Sequence, residues 1–189
     1  LLLVMSLALS CPLSLLNVNM PVAMDRLGMG ARGYGIFESF LSAGLLLGIV
    51  SVSFAAGRFA PRTLLGLAQF LTAGGFAVAA LGGFTPYLAG AVLMGLGLGA
   101  SEVAAVTLLQ LAIPDGMRGK VLGLVLTVNA LGLSLGAWVA GLVIESMRVA
   151  PLFVAAAVML GLLAAAWMIV QSRGRVALDR LVEGAAAAG

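Results

Sequence analysis

The sequence predicts an all-α membrane protein of six transmembrane helices, and three observations carry that prediction. The chain is 62% hydrophobic and 9% charged, with a mean hydropathy of +1.19, whereas a soluble domain carries roughly 25% charged residues. Six apolar runs follow one another, at about 1–22, 35–54, 63–84, 87–113, 121–144 and 149–170. Each is close to the roughly twenty residues that a helix needs to cross the hydrocarbon core. The links between them are too short for a soluble domain, and a backbone in lipid must satisfy its own polar groups, which makes the runs helices. Residues 171–189 are left as a tail.

Composition also excludes several classes of function. The net charge of +3 and pI near 9.8 do not describe a nucleic-acid-binding face, because the charges lie in loops. A single cysteine, Cys11, excludes an intramolecular disulfide and sits in an apolar span as a small packing residue. Histidine is absent, which removes Ser–His proteolysis, His metal sites and His haem ligation. No catalytic residue, metal or cofactor is therefore expected. No P-loop is present, so ATP-driven transport would need a separate ATPase chain. Leu1–Val22 has no basic segment before it, so it reads as the first span of a chain that begins further upstream, not as a signal peptide.

Basic residues set the orientation. Arg58 and Arg62 in the second loop, Arg118 and Lys120 in the fourth, and Arg173, Arg175 and Arg180 in the tail oppose Arg26, Arg32 and Arg148. This 7-to-3 split places both ends of the segment in the cytoplasm, with the spans in the cytoplasmic membrane.

Span by span, the polar residues are few. Span one carries Ser6, Ser10, Ser14 and Asn17 on one helical face. That face either packs against a neighbour or lines an aqueous cavity, and Pro12 and Pro21 can bend the helix beside it. Span two has Glu38 one turn inside its outer end, where it can snorkel, and a Gly44-xxx-Gly48 seam suited to close helix contact. Span three has Gln69 and Thr72 as slight polarity. Span four carries Glu102 two residues past the span midpoint at Ala100, about 3 Å from the midplane at a 1.5 Å rise per residue. A carboxyl at that depth faces protein or water. Gly95, Gly99 and Ala105 share its face, which leaves room for a helix or a ligand. Span five repeats the small-residue seam at Gly132 and Gly136, with Asn129 roughly on the same face. Span six has no polar residue between Pro151 and Val170 and reads as a peripheral, lipid-facing helix. The two halves match in kind. Each has its most polar helix first, its small-residue seam second and its least polar helix third, as in transporters built from inverted repeats.

Two loops then carry a resemblance. Gln110, Pro114, Asp115 and the run Arg118-Gly119-Lys120 look like the loop between the tenth and eleventh helices of major facilitator superfamily transporters, especially the branch that exports drugs, macrolides and siderophores. Gly57, Arg58, Pro61 and Arg62 resemble the degenerate second copy of the superfamily's glycine-and-arginine loop, without its acidic residue. Gly132, Gly136 and Gly141 resemble its glycine-rich eleventh helix, with Ala137 where a related motif has proline. The resemblance spans nearly the whole chain and implies helices seven to twelve, a 3+3 inverted repeat forming half of the fold. It also implies an N-terminal six-helix half as partner.

In such a fold the first helix of each triplet lines the central cavity. The resemblance thus implies a small-molecule permease working by alternating access, with proton-coupled efflux across the lipid bilayer. The candidate binding or coupling residues, read from burial depth and helix face, are Glu102, Ser6, Ser10, Ser14, Asn17, Glu38 and Asn129. The gating loops that the resemblance implies hold Arg58, Arg62, Pro114, Arg118 and Gly119. Glu102 lies outside the branch's common pattern and rests on the burial argument alone. The alternatives are a non-transporting membrane subunit or truncated product that assembles with other helices, and a half-size transporter that dimerises.

Overall fold

The described residues form six long helices: α1 (Leu2–Arg26), α2 (Gly30–Ala55), α3 (Pro61–Ala79), α4 (Phe84–Ala112), α5 (Arg118–Val143) and α6 (Val149–Ala187), with a short 3-10 turn at Asp115–Met117 before α5. The computed structural model describes residues 2–55, 58–113, 115–143 and 149–187; side-chain surroundings are described for these apart from 2–9, 112, 115, 143 and 173–187. Five helices, α2 to α6, are long and apolar enough to cross a membrane among the described residues. α1 has the length, 25 residues, and its first turns lie among the residues whose side chains are not described.

Local chemistry explains the helix ends. Pro61 opens α3 at its first turn, where a missing N–H is harmless and the fixed φ suits a helix. Between α3 and α4 the chain reverses through Gly82 and Gly83, at φ 75° and 91°, a region that favours glycine because no Cβ is present to clash. Pro12 and Pro21 lie inside α1, which runs unbroken through both. α6 runs on past Val170 to Ala187, through Val176-Ala-Leu-Asp-Arg-Leu-Val-Glu183, a run with no proline and several strong helix formers.

The helix pairing shows the repeat. The most extensive pairs are α2 with α4, α3 with α4, α1 with α5 and α3 with α6. α1 and α5 run parallel: Ser10 meets Asn129 and, one turn on, Ser14 meets Leu133. α2 and α4 also run parallel, since Gly95 faces the Leu41 backbone and Gly99 the Leu45 backbone. α3 and α6 run antiparallel, with Arg62 beside Trp167 and Phe76 beside Phe153. Matching α1, α2 and α3 in order to α4, α5 and α6 pairs the parallel α1–α5 contact with the parallel α4–α2 contact. This is a 3+3 inverted repeat. It is imperfect, because α3 lies along α4 whereas α1 touches α6 only slightly.

Glycine seams close both parallel pairs. A Cβ on Gly44 would sit 2.5 Å from the Val92 carbonyl oxygen. One on Gly48, Gly95 or Gly99 would run into the backbone carbonyls of Leu96, Leu41 or Leu45. In the other pair, a Cβ on Gly136 would sit 2.5 Å from the Cys11 carbonyl oxygen. Lipid tails are as apolar as leucine, so such close van der Waals contact, not burial from water, holds helices together here.

Packing differs between the two ends of the bundle. Around the α1–α2 and α3–α4 links, Leu16, Met20, Met24, Phe37, Phe76, Tyr87, Met94 and Phe153 form one buried cluster. Phe153 meets Phe76 and Tyr87 edge-on, with ring centroids 5.8 and 6.2 Å away, the geometry that aromatic quadrupoles favour. α6 joins this core through Phe153, Ala156 and Leu160, and turns Val154, Val158 and Leu162 outward. Its outward face is the one expected to meet lipid.

Candidate functional site

A cavity of about 350 Å³ opens among α1 to α5. Its lining comes from Ser10 and Leu13 of α1, Leu45 of α2, Leu65 and Gln69 of α3, Leu98 to Leu109 along one side of α4, and Leu122 to Asn129 of α5. The α3, α4 and α5 positions sit on the segments nearest the α2–α3 and α4–α5 links. The cavity therefore lies toward the end of the bundle away from the aromatic cluster.

Glu102 is the single ionisable group among the described lining residues, and it is exposed to the cavity. The face of α4 that carries it divides along its length. Gly95 and Gly99 press against α2, while Glu102 and Ala105 line the cavity. Asn129 reaches the site from α5, and its Oδ1 accepts a hydrogen bond from Ser10 Oγ at 3.1 Å. The structure thus brings Glu102, Ser10 and Asn129 to one cavity.

The other residues singled out in the sequence lie elsewhere. Ser14 is buried, and its hydroxyl donates to the Leu133 carbonyl of α5 at 2.6 Å. It ties two helices together and does not line the cavity. Asn17 is exposed on the same helix, beyond the lining. Ser6 lies outside the residues whose side chains are described. Glu38 is half-buried near the start of α2, one turn after Tyr34 and outside the cavity lining, so it stands apart from Glu102.

Two lining residues were not singled out as site residues. Gln69 is 3% exposed and Ser101 is 2% exposed, and both line the cavity. Ser101 Oγ is buried with no hydrogen-bond partner among the described residues. Burying a hydroxyl in that way costs about 1–3 kcal/mol. The only signal in the sequence was the expense of an amide inside an apolar span. Ser101 had none beyond its place beside Glu102.

The α4–α5 link is fastened by Arg118. Its Nε–H donates to the Ile113 carbonyl at 3.3 Å and its Nη2 to the Gln110 carbonyl at 3.1 Å. These are carbonyls at the end of α4, which has no later turn to satisfy them, and a cation there suits the helix dipole. Gly119 has open space where a Cβ would sit, so Gly119→Ala is expected to be tolerated. Pro114 lies outside the described residues. Arg58 and Arg62 are exposed, and the Arg62 carbonyl accepts from Trp167 Nε1 at 2.9 Å and Gln171 Nε2 at 3.2 Å, joining α3 to α6. Arg118→Ala is expected to loosen the link by about 0.5–1 kcal/mol and to lower activity at matched membrane abundance, whereas Arg173→Ala should leave it near wild type. Equal tolerance of both changes would show that the fastening is dispensable.

Two helix triplets, with a carboxylate-bearing cavity among α1 to α5, define a multi-pass helical membrane protein. The sequence profile of the Major Facilitator Superfamily matches residues 2–187, and the chain belongs to that superfamily of membrane transporters. No curated protein matches the chain at a significant level.

Proposed function

We propose that the chain is the C-terminal half of a proton-coupled exporter of a small amphipathic compound. An N-terminal six-helix half completes it in the cytoplasmic membrane, and both ends of this segment are cytoplasmic. The observation that carries the reading is the cavity with one carboxylate among its described lining residues, Glu102, set toward the basic-loop end, while the aromatic cluster packs the other end. With Arg58, Arg62, Arg118 and Lys120 inside, as the positive-inside rule directs, the cavity faces the cytoplasm. Rocking the two halves about this site would expose it to the other side. Glu102 carries the coupling proton, Ser10 and Asn129 contribute polar contacts, and the Arg118 link holds α4 and α5 together during the movement.

Orientation is tested with single cysteines at Met29 and Ala60 in a Cys11-free background. An impermeant thiol reagent should label Met29→Cys from outside intact cells and leave Ala60→Cys untouched. The reverse labelling removes both the orientation and the export direction. Activity is tested by flux of candidate compounds in proteoliposomes holding the full-length protein. An imposed proton gradient should accelerate efflux, and flux indifferent to the gradient would refute proton coupling.

A further inference from the structure

We infer that Gln69 and Ser101 form a hydrogen-bonding subsite beside Glu102, and that the substrate is an organic cation carrying a hydroxyl or similar polar group. The inference deepens the transport reading and rests on it. The cavity offers one carboxylate and no basic side chain among the described lining residues, so its charge selects a cation. The rest of its wall is mostly leucine, valine and alanine, such as Leu45, Val106 and Leu126, which suits an apolar body.

The polar corner is what narrows the class. Ser101 Oγ is buried and lacks a partner among the described residues. Ser39, Ser51, Ser134 and Ser172 bond a carbonyl one turn back, whereas Ser101 is buried without such a bond. Gln69 brings an amide from α3, the third helix of its triplet, to the same cavity. An amide and a hydroxyl both donate and accept. With the Ser101 hydroxyl turned from its buried position toward the cavity, a substrate hydroxyl can accept from it and donate to the Gln69 carbonyl oxygen, while its cationic end lies against Glu102.

The test compares two permanent cations that differ by one group, phenyltrimethylammonium and (3-hydroxyphenyl)trimethylammonium, binding to the full-length protein in detergent. The hydroxylated cation should bind about three- to tenfold more tightly, the range for one or two net hydrogen bonds. Gln69→Leu and Ser101→Ala should each bring that ratio toward one, through a larger loss for the hydroxylated cation than for phenyltrimethylammonium. Glu102→Gln should weaken both cations by on the order of thirtyfold, and Glu102→Asp should retain most binding. Ser101→Ala should also leave thermal stability equal or higher, since it removes an unsatisfied hydroxyl; it carries the test if Gln69→Leu fails to fold. A ratio of one in the wild type, a ratio that survives both substitutions, or no binding of either cation overturns the inference. Proton-driven flux of some other compound class alongside absent cation binding would overturn this inference alone. Intact cation binding with flux indifferent to the gradient would instead overturn the coupling reading.

Discussion

Glu102→Gln is expected to collapse gradient-driven flux to the rate seen without a gradient, while the protein folds and inserts normally. The amide keeps the shape and hydrogen-bonding reach of the acid but cannot exchange a proton. The side chain is exposed to the cavity and not locked in packing, so folding has little stake in its charge. A carboxyl held protonated for packing alone would be mimicked by glutamine, and flux would stay near wild type. The assay is flux in proteoliposomes with and without an imposed proton gradient, at matched protein content. Wild-type acceleration by the gradient in the variant would remove Glu102 as the coupling group. Glu38→Gln, run in parallel, should have the smaller effect, because Glu38 lies near the start of α2, outside the cavity lining.

The second large effect belongs to the α2–α4 seam. Gly99→Leu is expected to destabilise the bundle by about 1–3 kcal/mol or more, the range for overpacking. The atom a Cβ would strike is the Leu45 backbone carbonyl oxygen, which cannot rotate away as a side chain would. The two helices must separate, and Leu45 and Leu98 of the cavity wall move with them. Gly141→Leu, where a Cβ meets open space, is the control and should be near neutral. Thermal unfolding of the purified protein in detergent reads the difference. Equal melting of the two variants would show that the seam tolerates separation.

Much of this architecture is legible in the amino-acid order because lipid imposes it. Runs of some twenty apolar residues must be helices, and Gly44-xxx-Gly48 can be recognised as a seam before its partner is known. Glu102 stands out because a carboxyl near the midplane is costly. What stays hidden is which stripe meets which helix. Ser10, Ser14 and Asn17 share one face of α1, yet Ser10 reaches the cavity, Ser14 bonds to α5 and Asn17 is exposed. Periodicity gives the face of a helix but not where a neighbour ends. Gln69 and Ser101 were obscured for a related reason. Each is a neutral polar residue in a mostly apolar helix, and only the meeting of α3 with α4, more than twenty residues apart in sequence, brings Gln69 to the cavity that Ser101 and Glu102 line. The length of α6 depended on local propensity, which loses its hold at a helix end.

The central claim is that the Glu102 cavity is reached from both sides of the membrane in turn. The most direct measurement is the labelling of Ala105→Cys, a lining position, in a Cys11→Ser background of the full-length protein. An impermeant maleimide is applied to intact cells and, separately, to inverted membrane vesicles. Labelling is irreversible, so even a sparsely populated state accumulates product over time. Alternating access predicts labelling from both sides, with substrate changing the two rates in opposite directions. Labelling from one side only, whatever the substrate, or from neither side, would contradict it.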